Sequence, residues 1–216
     1  MILVEAAVET TESAIAAERA GARRVELCAS LDEGGTTPDA GLIASVTTQI
    51  GIPVFVMIRP RGGGFVYTDD EIEVMKRDIG IARTGNVAGI VTGALDDKGE
   101  VASATIRSLI EAAGGLPVTF HRAFDAARDL PEALEMLIDA GVSRVLTSGG
   151  ASTALEGADT IARLVDQAKG RIIIVAGGGI RGHNVRQVIA RTGVTEIHAR
   201  MIDEAGMRML VAMTTS

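Results

Sequence analysis

Charged and polar side chains follow several apolar runs that have the composition of β-strands. RRVELCAS carries Glu26 and Cys28 two residues apart, so on a strand both side chains point to the same face. After another such run, TFHRAFD carries His121, Arg122 and Asp125. An acid, an imidazole and a cation placed together are suited to general acid–base catalysis or to binding an anion.

The same type of position recurs elsewhere in the chain. Further candidates stand in ILVEAAV, IRPRGGGF, LTSGG, the glycine triplet and EIHAR, and they are Glu5, Arg59, Arg61, Ser148, Gly177, Gly178 and His198. We interpret Glu5, Glu26 and His121 as acid–base groups and the others, with Arg122 and Asp125, as substrate-binding residues. The glycine triplet could cradle a phosphate or form only a tight turn. Glu26 could instead make a structural ion pair with Arg59 or Arg122.

A metal site finds little support in the residue spacing. Copper(I) prefers thiolate, thioether and imidazole ligands, and the chain has one Cys, three His and eight Met. It contains neither C-x-x-C nor H-x-x-x-H, and Cys28 is the one candidate soft ligand that we single out.

Composition excludes several classes of partner. The 216 residues carry a net charge of -7, with four Phe, one Tyr and no Trp. An acidic chain with so few aromatic side chains is not expected to bind nucleic acid or an anionic membrane surface. The N-terminus lacks the basic region of a signal peptide, no apolar run is long enough to span a membrane, and a single Cys suits a reducing compartment. We therefore predict a cytoplasmic protein.

Recurring glycines give the fold class. Helical patterns end at seven glycines between Gly21 and Gly193, on average about 29 residues apart, and each is followed by an apolar run. Counting the first and last runs gives eight strands, which predicts a single (β/α)8 TIM-barrel domain over residues 1–216. We expect the final helix to be short, displaced or missing. Thr37, Thr68 and Asp129 are the predicted starts of three of the helices.

Four stretches resemble the CutC family, whose members are named for copper homeostasis. They are RVELCASLDEGGTTP, IPVFVMIRPRGGGFVYTDDEIEVMK, LPVTFHRAFD and RVLTSGGASTALEG, and the resemblance runs from residue 1 to about residue 198. It implies a TIM barrel and a cytosolic homo-oligomer that in some members binds copper(I). The copper ligands proposed for animal members are two cysteines, of which Cys28 matches one and Ala7 replaces the other. At EIHARMIDEAG the chain departs from the family's H-x-S-A motif.

Two functions therefore remain open. The family resemblance implies a copper-handling protein with Cys28 as a soft ligand, whereas the residues favour an enzyme acting on a phosphorylated or carboxylated small molecule. Its partner would accordingly be a small anionic molecule or a copper ion. We expect Glu5, Glu26, Arg59 and His121 to lie within a few ångströms of one another, and Cys28 to be a chemically quiet packing residue.

Overall fold

A computed structural model describes residues 2–214 of the chain. Within this range, eight parallel strands alternate with eight α-helices and close into a barrel, which confirms the predicted (β/α)8 TIM barrel. The strands are β1 Leu3–Val8, β2 Arg24–Leu27, β3 Val54–Met57, β4 Gly89–Thr92, β5 Val118–Phe120, β6 Arg144–Thr147, β7 Ile173–Gly177 and β8 Glu196–Arg200. The helices are α1 Thr11–Arg19, α2 Ala40–Gln49, α3 Asp69–Thr84, α4 Ser103–Ala113, α5 Leu130–Ala140, α6 Ala158–Ala168, α7 Val185–Thr192 and α8 Glu204–Ala212.

Alternation along each strand separates two cores. Outward-facing residues such as Val4 and Val25 pack with the helices in the main apolar core. Inward-facing residues form a small second cluster of Cys28, Phe55, Met57 and Val91. The interior also holds a set of charged residues, in which Glu5 of β1 lies in register with Arg24 of β2 and with His198 of β8.

The sequence signals at the helix ends have mixed outcomes. Thr68 caps α3 and Asp129 caps α5, as predicted. The prediction for Thr37 is wrong: the Asp39 side chain caps α2, and the Thr37 hydroxyl instead donates a hydrogen bond to the Arg59 carbonyl.

The final helix is present. α8 has nine residues and starts at the cap Asp203, which accepts a hydrogen bond from the Gly206 N–H at 2.7 Å. Its Met207 and Leu210 side chains are buried. Among residues 2–214, no helix is both long and apolar enough to cross a membrane.

Candidate functional site

A cavity of about 430 Å³ opens at the C-terminal end of the barrel. Its lining comes from the ends of strands and the loops that follow them, which is where TIM barrels place their chemistry. The polar side chains that line it are Glu26, Glu33, Arg59, His121, Arg122, Arg181, His198 and Arg200.

Glu26 lines this cavity and has one carboxylate oxygen without a partner in the described residues. Its Oε2 atom lies 3.6 Å from the Cys28 thiol, which donates to it, and 3.6 Å from Nε2 of His198. Its Oε1 atom is buried and has no hydrogen-bond partner in the described part of the chain. Burial raises the pKa of the Glu26 carboxyl above its ordinary value, against the lowering effect of His198. A carboxyl whose pKa is raised by burial is a stronger proton acceptor than an ordinary one.

His121 lines the same cavity and has one ring nitrogen without a partner in the described residues. Its Nδ1 atom accepts a hydrogen bond from the Ala123 N–H at 3.1 Å, while its Nε2 atom is buried without a partner among residues 2–214. Burial and the charge of Arg59 lower the pKa of His121 to about 3, so the ring is neutral at physiological pH. Gly93 leaves room for the ring, because a Cβ there would lie 2.7 Å from two of its atoms.

Arg59 ties together the two loops that border the cavity. Its guanidinium donates hydrogen bonds to the carbonyls of Glu33 at 2.9 Å, Gly35 at 2.8 Å and Gly63 at 2.8 Å, and it lies over the Phe65 ring. Its Nε atom is buried without a partner within the described range. Arg59 therefore shapes the cavity wall and makes no ion pair with Glu26.

Glu5 lies below the cavity, within a buried ionic network. Arg24 donates from Nε to Glu5 and from Nη2 to Glu196, and Nδ1 of His198 lies 2.8 Å from Glu5 Oε1. Burial alone would raise the pKa of Glu5, but the hydrogen bond with His198 and the charge of Arg24 lower it to about 2. Burial likewise opposes the charge of His198, whose pKa is nevertheless raised by Glu26 and Glu5. His198 therefore links Glu5 to Glu26.

The two arginines of the barrel interior were missed by the sequence analysis. The guanidinium carbon of Arg144 lies 3.9 Å from the centre of the Phe55 ring, and that of Arg24 lies 5.0 Å from it. Arg144 also donates two hydrogen bonds to the Thr119 hydroxyl. A signal was available, because Arg24 stands two residues before Glu26 and therefore shares its face of β2.

Three residues after β5 and β6 form a rim network. Arg122 lines the cavity and donates to Asp125 at 2.8 Å and to the Ser148 hydroxyl at 2.7 Å. Asp125 in turn accepts hydrogen bonds from the Ser148 backbone N–H and hydroxyl. Asp125 and Ser148 thus hold Arg122 in place and do not themselves line the cavity.

The glycine triplet divides between the barrel wall and the cavity. Gly177 ends β7 beside Leu146 and His198 and is not part of the lining. Gly178 and Gly179 line the cavity with φ of 104° and 70°, a conformation that favours glycine.

The structure thus brings some of the expected residues together and separates others. Glu26, Arg59 and His121 line one cavity, but Glu5 reaches it only through His198. The Arg61 guanidinium is partly exposed and pairs with Glu71 at 2.5 Å, outside the cavity. The charges of Glu5 and Arg61 are thus already engaged by protein groups.

The residues around Glu26 were tested for their fit to copper(I). Glu5, Glu26 and His198 each offer a ligand atom within 4.8 Å of the others, but carboxylates are hard ligands and Glu5 is already bound by Arg24. Burial and the charge of Glu26 raise the pKa of the Cys28 thiol well above its ordinary value, so this soft ligand is protonated. The Ala7 side chain, next to Glu26 in the sheet, supplies no second sulfur. This donor set does not fit copper(I).

Comparisons with known proteins give one consistent family. The CutC family matches residues 2–203. The copper homeostasis protein cutC homolog of Homo sapiens is 50% identical over 208 residues, covering 95% of this chain and 76% of that protein. A CutC family protein of Xylella fastidiosa strain Temecula1 is 48% identical over 209 residues, covering 97% and 78%.

Solved structures agree with this result. The putative copper homeostasis protein CutC of Streptococcus agalactiae superimposes with a TM-score of 0.88 at 36% identity, covering 92% of this chain and 98% of that one. N-(5'-phosphoribosyl)anthranilate isomerase of Pyrococcus furiosus has a TM-score of 0.65 at 14% identity, covering 99% and 98%, and shows the shared fold alone.

Proposed function

The chain belongs to the CutC family, and from its cavity we propose that it binds a small organic anion at the barrel mouth and transfers a proton to or from it. Its relatives carry the name of copper homeostasis proteins. These names do not state a reaction, and the proposed chemistry is argued from the cavity of this chain.

One observation carries the proposal. Two buried polar atoms, Glu26 Oε1 and His121 Nε2, have no partner among residues 2–214, and both residues line the same cavity. A buried polar group without a hydrogen bond costs about 1–3 kcal/mol, so native proteins seldom leave such groups unpaired. A bound ligand with complementary polar atoms would satisfy them.

The charges around the cavity support an anionic ligand. Arg122, Arg181 and Arg200 line it near the glycine turn at Gly178 and Gly179. Arg200 is balanced by Asp32 at 2.7 Å, whereas Arg122 is held by Asp125 and Ser148 with part of its guanidinium exposed. A phosphate or carboxylate group would meet these cations at the rim, with the reacting part of the molecule next to Glu26 and His121.

Ligand-observed NMR with a library of phosphorylated and carboxylated metabolites tests the proposal. We expect members of one class to bind, and Glu26→Gln and His121→Asn to change their affinity. His183→Asn and Glu73→Gln are matched controls: Glu73 is exposed and pairs with Lys76, and neither residue lines the cavity. If neither class binds, or if all four variants bind alike, the proposal is wrong.

Copper(I) handling is the second candidate, and the family name supports it. In this reading Cys28 is the principal soft ligand, and binding is weak or needs a second copy of the chain because Ala7 supplies no sulfur. A homo-oligomer and a cytoplasmic location are further proposals, which rest on the family resemblance and on the single buried thiol. Light scattering of the purified protein tests the first, and fractionation of cells tests the second.

A further inference from the structure

The fixed proton on His121 narrows the class of ligand. We infer that the cavity takes a carbonyl compound with an acidic neighbouring C–H bond, whose carbonyl oxygen accepts a hydrogen bond from Nε2–H of His121. The inference rests on the proposed function and adds to it the substrate class and the reaction.

The hydrogen bond from Ala123 decides where that proton sits. A backbone N–H can only donate, so Nδ1 of His121 must offer its lone pair at the observed distance of 3.1 Å. The single proton of the neutral ring is then on Nε2. Burial and the charge of Arg59 keep the ring neutral. Nε2–H is therefore an uncharged hydrogen-bond donor before any ligand binds.

The described part of the chain supplies no acceptor for that donor. His121 is only 4% exposed, and its Nε2 has no partner in the described part of the chain. Gly93 and Phe65, whose ring centre lies 5.2 Å from that of His121, hold the imidazole in place. A fixed donor of this kind stabilises an oxygen that gains charge during a reaction.

The charge of Glu26 favours an uncharged ligand oxygen at the inner end of the cavity. The Glu26 carboxyl lines the same cavity and, unlike Glu5, is not paired with an arginine, while Arg122, Arg181 and Arg200 line the cavity nearer the rim. A phosphate or carboxylate group of the ligand would be repelled at the inner end and attracted to the rim. A carbonyl group is uncharged when it binds and therefore suits the inner position.

The two groups together perform one balanced step. Oε1 of Glu26 takes the proton from the carbon next to the carbonyl, and the C–H electron pair becomes the C=C bond of an enolate. The carbonyl π electrons move to the oxygen, whose negative charge is stabilised by Nε2–H of His121. Glu26, now a carboxylic acid, returns a proton to the same carbon while the enolate electrons reform the C=O bond, and exchange of the Glu26 proton with solvent in between makes the α-hydrogen exchangeable. Among residues 2–214, those that line the cavity include no lysine, so they offer no side-chain amine for a Schiff base.

The first test needs no ligand. Long-range ¹H–¹⁵N correlation spectra resolve the three imidazoles, and His121→Asn, His183→Asn and His198→Asn assign them. We expect His121 to carry its proton on Nε2 and not to titrate between about pH 5 and about pH 8. A proton on Nδ1, or a charge change in that range, overturns the inference.

The second test follows deuterium entering carbonyl probes in D₂O. The probes are dihydroxyacetone phosphate, ribulose 5-phosphate, oxaloacetate and pyruvate, with glycerol 3-phosphate and malate as matched compounds without the ketone. We expect exchange of the α-hydrogen in at least one ketone, slowed about 10²- to 10³-fold by His121→Gln and abolished by Glu26→Gln. His183→Asn should leave the exchange rate unchanged.

The outcomes separate the two proposals. Ketones that bind without exchanging, or binding confined to the compounds without a ketone, overturn the inference and leave the proposed anion site standing. If none of the six compounds binds, this carbonyl class is wrong, and the wider metabolite library decides the proposed function. Exchange that persists in Glu26→Gln shows that Glu26 is not the base.

Discussion

Replacing Glu5 with glutamine tests the buried ionic network most directly. The side chain keeps its shape but loses the charge that faces Arg24 and His198. The pKa of Glu5 falls from 4.5 to about 2 in the folded protein. Each unit of pKa corresponds to about 1.4 kcal/mol, so the charged carboxylate contributes about 3 kcal/mol to the free energy of unfolding at pH 7.

The dependence on pH follows from the direction of the pKa change. A carboxyl whose pKa is lowered by folding stabilises the protein above its unfolded pKa, and this contribution is lost as the pH falls through the folded pKa. The difference in stability between the wild type and Glu5→Gln should therefore be full above about pH 5 and shrink as the pH falls from 4.5 toward 2. Urea denaturation followed by far-UV circular dichroism measures it, since the chain has no Trp.

Glu135 provides a matched control on the surface. The hydrogen bonds from Arg171 and Gln167 lower the pKa of Glu135 to about 2 as well, but this carboxylate and Arg171 are both exposed to solvent. Water and salt screen such a pair, so Glu135→Gln should leave the stability nearly unchanged. The two substitutions should not lower the free energy of unfolding equally, and the loss in Glu5→Gln should shrink on acidification. A contrary result in either case would refute the argument that burial strengthens the contribution of the Glu5 charge.

Three further substitutions test other parts of the barrel. Cys28→Ala should retain the fold at a cost of about 1–2 kcal/mol in the free energy of unfolding. The wild-type thiol should react slowly with a labelling reagent at neutral pH because burial and Glu26 raise its pKa. Fast labelling of the wild type together with loss of copper binding in the variant would make Cys28 a ligand. Gly89→Ala should lower the free energy of unfolding by about 3 kcal/mol because the new methyl group overlaps the Phe55 ring. Most of that loss should disappear in a Phe55→Leu background, as measured by urea denaturation. Equal losses in both backgrounds would contradict the overlap. Ala7→Cys should bind copper(I) more tightly than the parent chain in competition with a chelator, and equal affinities would show that the missing thiolate is unimportant.

The repeat in the sequence predicted the architecture because glycine has a local physical role. Gly21, Gly141 and Gly193 adopt the left-handed conformation at or just after the ends of their helices, which few other residues tolerate. Gly85 keeps a negative φ of -88° and is not conformationally required. A Cβ on Gly85 would nevertheless lie 2.7 Å from a methyl group of Ile43. The regular spacing therefore includes glycines with different local roles, and the strand count follows from it.

The candidate site was only partly predictable, because strand ends do not reveal pairing across the barrel. Alternation placed Glu26 and Cys28 on one face, and their side chains are in contact. It could not show that Glu5 would be neutralised by Arg24 from the neighbouring strand, since that depends on the register of β1 with β2. Arg61 was misplaced for a related reason: the loop after β3 turns its guanidinium toward Glu71 on α3.

The pairing of the first and last strands has a consequence for folding. Glu5 and Arg24 lie near the start of the chain, whereas their partners His198 and Glu196 are contributed by the final strand. Until β8 docks, Glu5 and Arg24 can pair only with each other and lack their partners His198 and Glu196. A shift of β8 by one residue would turn His198 and Glu196 toward the helices and bury Arg24 without one of its acids. The ionic network thus makes correct closure of the barrel energetically distinct from closure in a wrong register.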